Sequence, residues 1–206
     1  YNRDVDIFPV LNAIFEGIYG SSPYKSPTDM GVNMAGFCIC DDEVCCEASK
    51  QEIIRRYYQA LNRLAKEDDN SDEVYKLKLL MNQAKITPEM RSVVGPCLKR
   101  AEELSCPAAA LELDDGRIVT GKTSDLLGAS AAVLLNAIKV LGDIPDDVHL
   151  IAPSAIEPIQ VLKTGYLGSK NPRLHTDEVL IALSMSAATD ETAKNALAQL
   201  PKLRGC

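Results

Sequence analysis

The chain of 206 residues contains no tryptophan, only two histidines and 5% aromatic residues. It also lacks any cluster of lysine and arginine interleaved with aromatic side chains, and its formal net charge is −7. Because nucleic-acid binding depends on neutralising phosphates, this composition argues against a nucleic-acid partner. No apolar run approaches the length that crosses a bilayer, and no signal peptide opens the chain. We therefore predict a cytoplasmic protein without a membrane partner.

The seven cysteines do not form a recognisable metal or disulfide pattern. Four of them lie close together, at Cys38, Cys40, Cys45 and Cys46. Their spacing lacks the paired C-x2-C knuckles of structural zinc sites, and neither histidine is near them in sequence. The odd total argues against a complete disulfide framework. Reduced cysteines and no metal site are predicted.

The octet Gly116–Thr123 matches the phosphate-loop pattern G-x-x-x-x-G-K-[ST]. Such a loop needs a preceding strand, residues that let backbone N–H groups converge on phosphate, and a helix that begins at the Lys-Thr step. Here Asp115-Gly116 is a hairpin-turn signal, and the three β-branched residues that follow favour a strand. We predict a β-hairpin with strands over 108–113 and 117–121, and Lys122 as an isolated charge that can reach a ligand. The nucleotide loop is the alternative.

The hydrophobic pattern divides the chain into a helical part and a mixed part, with the change at Ser105-Cys106-Pro107. In the first part, Ser49 and Glu52 have the spacing of a capping box, which predicts a helix that begins there. The fold class is α/β, with a helical N-terminal subdomain over 1–105 and a small α/β subdomain over 106–206. The second subdomain is expected to contain the hairpin (108–121), a central helix (129–141), a buried strand (148–151) and C-terminal helices.

Two polar loops are candidate ligand-binding sites, because loops held by flanking helices often carry function. The first loop offers Lys25, Ser26, Thr28, Asp29 and Asn33. The second, at a predicted helix start, offers Asn171, Arg173 and His175, which could form an anion pocket. The alternative for both is local bonding, as a turn in the first loop and as a helix cap in the second. No catalytic residue is assigned, since neither histidine accompanies a motif-bearing nucleophile.

Five stretches of the sequence carry a family resemblance, namely residues 1–11, 25–34, 51–58, 115–124 and 171–180. They resemble the bacterial family catalogued as domain of unknown function 1846. The resemblance implies that members are more than twice this length, so the chain is expected to be a C-terminal half, truncated at its C-terminus. The missing N-terminal half would be its first partner, and in the family that half carries a Gly-Pro-Gly-Ser-Gly-Lys stretch, a better phosphate-loop candidate than the octet.

The resemblance also implies a three-layer subdomain of cytidine-deaminase-like topology at the C-terminal end. The deaminase catalytic residues do not carry over onto this chain. Where the helix after the hairpin should bring a zinc-binding Cys or His followed by Ala-Glu, the chain has Ala129-Ser130-Ala131-Ala132, and no P-C-x-x-C follows. Deaminase chemistry is therefore not expected in this domain.

Two functions remain open at the level of sequence. In the first, the chain is a fragment of a cytosolic enzyme that binds a phosphorylated or nucleotide ligand, with cofactors unassigned. In the second, it is a non-catalytic scaffold or oligomerisation module. The several apolar helical stripes favour a homo-oligomer.

Overall fold

The computed structural model describes residues 2–27, 41–65 and 71–204, and it divides into two units, Tyr1–Arg91 and Ser92–Cys206. The sequence pattern places the division later, at Ser105. The difference is one helix, α4 (Val94–Leu104), which packs against both strands of the hairpin and so lies in the second unit. An apolar stripe indicates that a helix has a packing partner, but it does not say which one.

The described residues of the first unit include the α-helices α1 (Asn2–Tyr19), α2 (Asp42–Leu64) and α3 (Ser71–Ala84). α2 begins at Asp42 because the Asp41 carboxylate accepts a hydrogen bond from the Val44 N–H at 3.0 Å. The predicted start at Ser49 is wrong, since the Ser49 hydroxyl donates to the Cys45 carbonyl at 2.7 Å inside the helix. The core of this unit is apolar and comprises Ile53, Ile54, Ala60, Val74, Leu77, Leu80, Met81 and Ile86.

The hairpin of the second unit consists of β1 (Ala108–Glu112) and β2 (Ile118–Lys122), which pair antiparallel with Ala110 opposite Thr120. The chain reverses at Gly116, whose φ of 82° lies in the region that strains other residues. The octet that begins at Gly116 therefore lies in a turn and its returning strand. The α/β class is confirmed in its coarse form, as a mostly helical chain with a two-stranded antiparallel sheet among the described residues.

Helix α5 (Ala129–Leu141) packs across the hairpin and also belongs to a second core. Val119 and Gly121 lie on one face of β2, since side chains alternate along a strand, and this face meets Val133 of α5. Ala131 and Ile138 of α5, both fully buried, pack into the other core. That core includes side chains from α6 (Pro153–Val161), α7 (Thr176–Ser186) and α8 (Glu191–Ala198). A π-helical turn (Leu162–Tyr166) follows α6.

The predicted strand over 148–151 is not observed. Leu150 and Ile151 are buried in the core with α5 and α6, but the segment is irregular and has no strand partner in the described part of the chain. A short apolar run indicates burial, whereas a strand also needs a neighbouring edge with which to exchange hydrogen bonds.

Candidate functional sites

Lys25 and Ser26 hold the loop after α1 against the start of α2. The Ser26 hydroxyl is fully buried and donates to the Asp42 carboxylate at 3.1 Å. The Cys46 thiol donates to the backbone carbonyl of Lys25. These bonds leave the backbone of Lys25 fixed and its side chain exposed. Thr28, Asp29 and Asn33, the other candidates of this loop, lie outside the described residues.

The exposed side chain of Lys25 lines a cavity of about 640 Å³ in the first unit. Lys50 of α2 and Lys85, which follows α3, line the same cavity. Ser49, one residue before Lys50, contributes a buried wall. Three lysines from three separate segments are therefore brought together at one concave site, and sequence spacing gave no sign of this for Lys50 and Lys85.

Positive charge prevails in this cavity. The acidic side chain among its described lining residues is Glu16, whose carboxylate accepts a hydrogen bond from Asn12 at 3.0 Å. Lys50 lies 3.5 Å from Glu47, but both side chains are about half exposed, so this pair contributes little to stability. The C-terminal ends of α1 and α3 also border the cavity, and the partial negative charge of their carbonyl groups offsets part of the lysine charge.

Lys85 occupies a position that usually favours glycine. It ends α3 with a φ of 55°, and the Ile86 N–H donates to the Met81 carbonyl at 3.0 Å, which is the Schellman arrangement. Ser105 ends α4 in the same way, with a φ of 50° and a bond from the Cys106 N–H to the Ala101 carbonyl. A left-handed residue with a side chain costs about 1 kcal/mol relative to glycine. Lys85 is thus present despite a conformational cost.

The candidates of the second loop, Asn171, Arg173 and His175, lie together but take part in a local bonding network. The Nε of Arg173 donates to the Ser124 carbonyl at 2.6 Å, and the Asn171 side chain accepts from the Arg173 N–H at 3.1 Å. The backbone N–H of His175 donates to the Glu178 carboxylate at 2.7 Å. Many of the polar groups that the sequence suggested for ligand binding therefore stabilise the loop or cap α7.

A buried lysine completes this network. The Lys163 ammonium is 2.7 Å from the Glu178 carboxylate and 2.6 Å from the Arg173 carbonyl. Burial alone would raise the pKa of Glu178, but the hydrogen bonds from Lys163 and from the His175 backbone outweigh it and hold that pKa below its usual range. Lys163 therefore joins the π-helical turn to the loop and to α7, a role that sequence spacing did not reveal.

The starts of α5 and α7 lie side by side. Leu127 and Leu174 form a parallel bridge, in which the Gly128 N–H donates to the Leu174 carbonyl at 3.1 Å. The Thr176 hydroxyl lies 3.4 Å from that of Ser130. The first turns of both helices therefore lie next to each other beside Arg173, and the start of α7 carries a capping box formed by His175 and Glu178.

Lys122 ends β2 and is exposed, and no described hydrogen bond or ion pair joins it to Asn171, Arg173 or His175. The glycine before it, Gly121, lies against the backbone of Val133. The motif glycine is thus explained by helix–strand contact, and the lysine stays an isolated charge.

The described residues contain no group of three or more His, Cys, Asp or Glu side chains placed to hold a metal ion. Cys45, Cys46, Cys97 and Cys106 are thiols that form no disulfide, and burial raises the pKa of the Cys97 thiol. Cys38 and Cys40 lie outside the described ranges. Within those ranges, no helix is long and apolar enough to cross a membrane.

Comparison with known proteins identifies relatives along the whole chain. Residues 1–85 match the family described as "Domain of unknown function DUF1846, N-terminal", and residues 89–206 match "Domain of unknown function DUF1846, C-terminal". The UPF0371 protein of Corynebacterium aurimucosum is 58% identical over 206 residues, and that of Corynebacterium glutamicum is 56% identical over the same length. The UPF0371 protein SUB1165 of Streptococcus uberis is 53% identical over 205 residues.

These alignments cover 100% of the chain but only 41–42% of each relative. The chain thus spans about two fifths of the length of the curated relatives that it matches. Its two family matches meet close to the division between the structural units at Arg91 and Ser92. The chain belongs to the DUF1846 family, a bacterial family of unknown function.

Proposed function

We propose that the protein binds a phosphorylated small molecule or nucleotide in the cavity of the first unit. The observation that carries this proposal is the convergence of Lys25, Lys50 and Lys85 on one cavity, in a chain whose net charge is −7. Lysine binds phosphate as a mobile point charge, and a volume of about 640 Å³ falls within the usual range of ligand pockets. The strained backbone at Lys85 adds support, because such strain often persists where a side chain is needed.

The other candidate residues extend this proposal to the longer protein. Thr28, Asp29 and Asn33, which follow Lys25 closely in sequence, stay candidate ligand-binding residues. Lys122, Asn171, Arg173 and His175 would serve a separate anion site within the second unit. The start of α5, which no side chain caps, supports that role, because helix N-termini attract anions. The reaction, if the protein has one, belongs to the whole protein.

Titration calorimetry with ADP tests the first site. Lys50→Gln and Lys85→Gly should each weaken ADP binding about tenfold, which corresponds to about 1.4 kcal/mol per lost charged contact. Lys78→Gln, an exposed lysine of α3 that does not line the cavity, is the matched control and should bind as the wild type does. Adenosine, which has no phosphate, should bind far more weakly. Equal affinities of all three variants would contradict the proposal.

The Lys85→Gly variant carries an additional signature. Glycine relieves the left-handed strain, so denaturant unfolding should show a gain of about 1 kcal/mol even as ADP binding falls. Ser105→Gly relieves the same strain in the second unit and should raise stability without changing affinity. A binding loss caused by local unfolding would instead be accompanied by lower stability.

A second candidate function, assembly with a partner, is favoured by an exposed apolar patch on the second unit. The patch consists of Leu162, Leu167, Ile181 and Met185, which are 52%, 73%, 59% and 61% exposed. Three of these residues line one apolar groove, and contiguous exposed apolar surface commonly marks a protein interface. We propose that a homo-oligomer of the scaffold type would use this surface.

Sedimentation equilibrium checks the assembly proposal. If the patch joins two copies, Leu167→Glu should shift a dimer to the monomer, because a buried charge is costly at an apolar interface. Leu98→Glu, on a similarly exposed leucine of α4, should leave the association state unchanged. A wild-type chain that stays monomeric at about 0.1 mM would contradict the homo-oligomer.

Two finer expectations also remain proposals. The cytidine-deaminase-like topology is supported by the order of the hairpin and α5 and by the packing of α5 across the strands. The third strand that this topology requires, predicted over 148–151, is not found among the described residues. Residence in the cytoplasm is supported by the composition of the chain.

A further inference from the structure

A second cavity, in the second unit, has a different character. It encloses about 260 Å³ between α5, the irregular segment before α6, and α6 itself. Its walls are largely aliphatic, with contributions from Leu127, Leu135, Leu150, Ile151 and Ile156. Its volume corresponds to about nine water molecules, so it suits a ligand of about six to eight heavy atoms.

One charged side chain lines this apolar cavity. Lys139 of α5 is only 9% exposed, and its ammonium donates a hydrogen bond to the Asp146 carbonyl at 2.8 Å. An ammonium has three N–H donors, and in the described part of the chain no carboxylate lies within ion-pair distance of this one. The other buried lysine, Lys163, is paired with Glu178. A buried charge without a counter-ion is unfavourable, so Lys139 is the more unusual of the two buried lysines.

We propose that this cavity binds a small aliphatic carboxylate, whose carboxylate group pairs with the Lys139 ammonium while its hydrocarbon part packs against the leucine and isoleucine walls. The remaining polar groups fit this arrangement. The Asn136 amide is committed to the Thr120 carbonyl at 2.9 Å, so it fixes the wall and does not compete for the ligand. His149 is exposed and thus lies where the cavity meets solvent. A carboxylate supplies the counter-ion that Lys139 lacks, and a purely apolar ligand would not.

The alternative role for Lys139 is structural, since its bond to Asp146 also holds the turn after α5. The two roles differ in what they require of a ligand. A structural lysine would give no preference for an acid over an amide of the same shape. A binding lysine would give a marked preference, because the ion pair forms in an apolar, water-poor site.

The probe is 3-methylbutanoate, titrated into the protein and followed by NMR chemical shifts, with 3-methylbutanamide as the uncharged match. For so few heavy atoms, saturable binding is expected with a Kd of about 1 mM, and the amide should bind at least about tenfold more weakly. Lys139→Met should abolish the preference for the acid. Lys194→Met, an exposed lysine of α8, should leave both titrations unchanged.

A second variant keeps the test decisive if Lys139→Met disturbs folding. Ala132→Leu adds bulk to the cavity wall while it retains the ammonium, so it should also prevent binding of the acid. Lys50→Gln, which tests the cavity of the first unit, should not affect 3-methylbutanoate, so failure of one proposal leaves the other standing. Equal binding of acid and amide, or no saturation by the acid in the wild type, would overturn the inference.

Discussion

Gly121→Ala should destabilise the second unit by about 3 kcal/mol or more, the largest effect expected from any single methyl group in the described chain. A Cβ at this position would lie 2.6 Å from the Cα of Val133 and 2.7 Å from the carbonyl carbon of Ala132, and closer still to the Val133 nitrogen. These are backbone atoms, so no side-chain rotation relieves the clash. The hairpin would have to move away from α5, and the contact of Val119 with that helix would be lost with it.

Denaturant unfolding followed by circular dichroism measures this loss. Gly95→Ala is the matched control, because a Cβ there meets nothing within 4 Å and the residue lies in helix α4. Since glycine is a poor helix former, Gly95→Ala should be neutral or stabilise by up to about 1 kcal/mol. A Gly121→Ala variant as stable as the wild type would mean that the hairpin and α5 are not packed as described.

Lys163→Met should cost about 3 kcal/mol, since removal of one partner strands the other in a mostly dry environment. The Glu178 carboxylate would keep only its bond from the His175 backbone, and the Arg173 carbonyl would lose its donor. The loop that carries Asn171, Arg173 and His175 would then be held less firmly. The side chains of Lys163 and Glu178 are 10% and 25% exposed, which places the effect near the lower end of that for fully buried pairs.

The pH dependence of this loss gives an independent check. Because the folded-state pKa of Glu178 is held below its ordinary value, its pairing stabilises the protein above the unfolded pKa of about 4.3. That contribution disappears as the pH falls through the lower, folded value. The difference between wild type and Lys163→Met should therefore shrink below about pH 4. Lys194→Met, which breaks an exposed pair with Glu191, should change stability by less than about 0.5 kcal/mol at any pH.

Local signals in the sequence account for the parts of the fold that depend on neighbouring residues. The Asp-Gly step lies in the hairpin turn, and the β-branched run that follows it forms β2. Gly142 follows directly after the last residue of α5. The segment over 148–151 shows the limit of this reasoning. Its apolar residues are buried, but strand formation depends on an edge contributed by another part of the chain.

The candidate sites show the same limit. The sequence predicts that Lys25 lies in a loop, but Lys50 comes from α2 and Lys85 directly follows α3, and no spacing rule encodes how these helices pack. Arg173 and His175 were identified by residue type, whereas Lys163, which holds their loop, lies ten residues before Arg173 in a π-helical turn. Lys139 resembles a helix-face lysine in the sequence, and only the packing around α5 reveals that it is buried.

The parallel bridge between Leu127 and Leu174 has a consequence for how the second unit folds. The residues it brings together, such as Ser130 and Thr176, are separated by 46 positions, so the starts of α5 and α7 meet only after a long loop has closed. Closing such a loop costs chain entropy before the buried contacts of Leu174 repay it. The hairpin with α5 involves shorter loops and can form earlier. We therefore expect docking of α7 to be a late step in folding, so that the surface around Arg173 is assembled only when the second unit is complete.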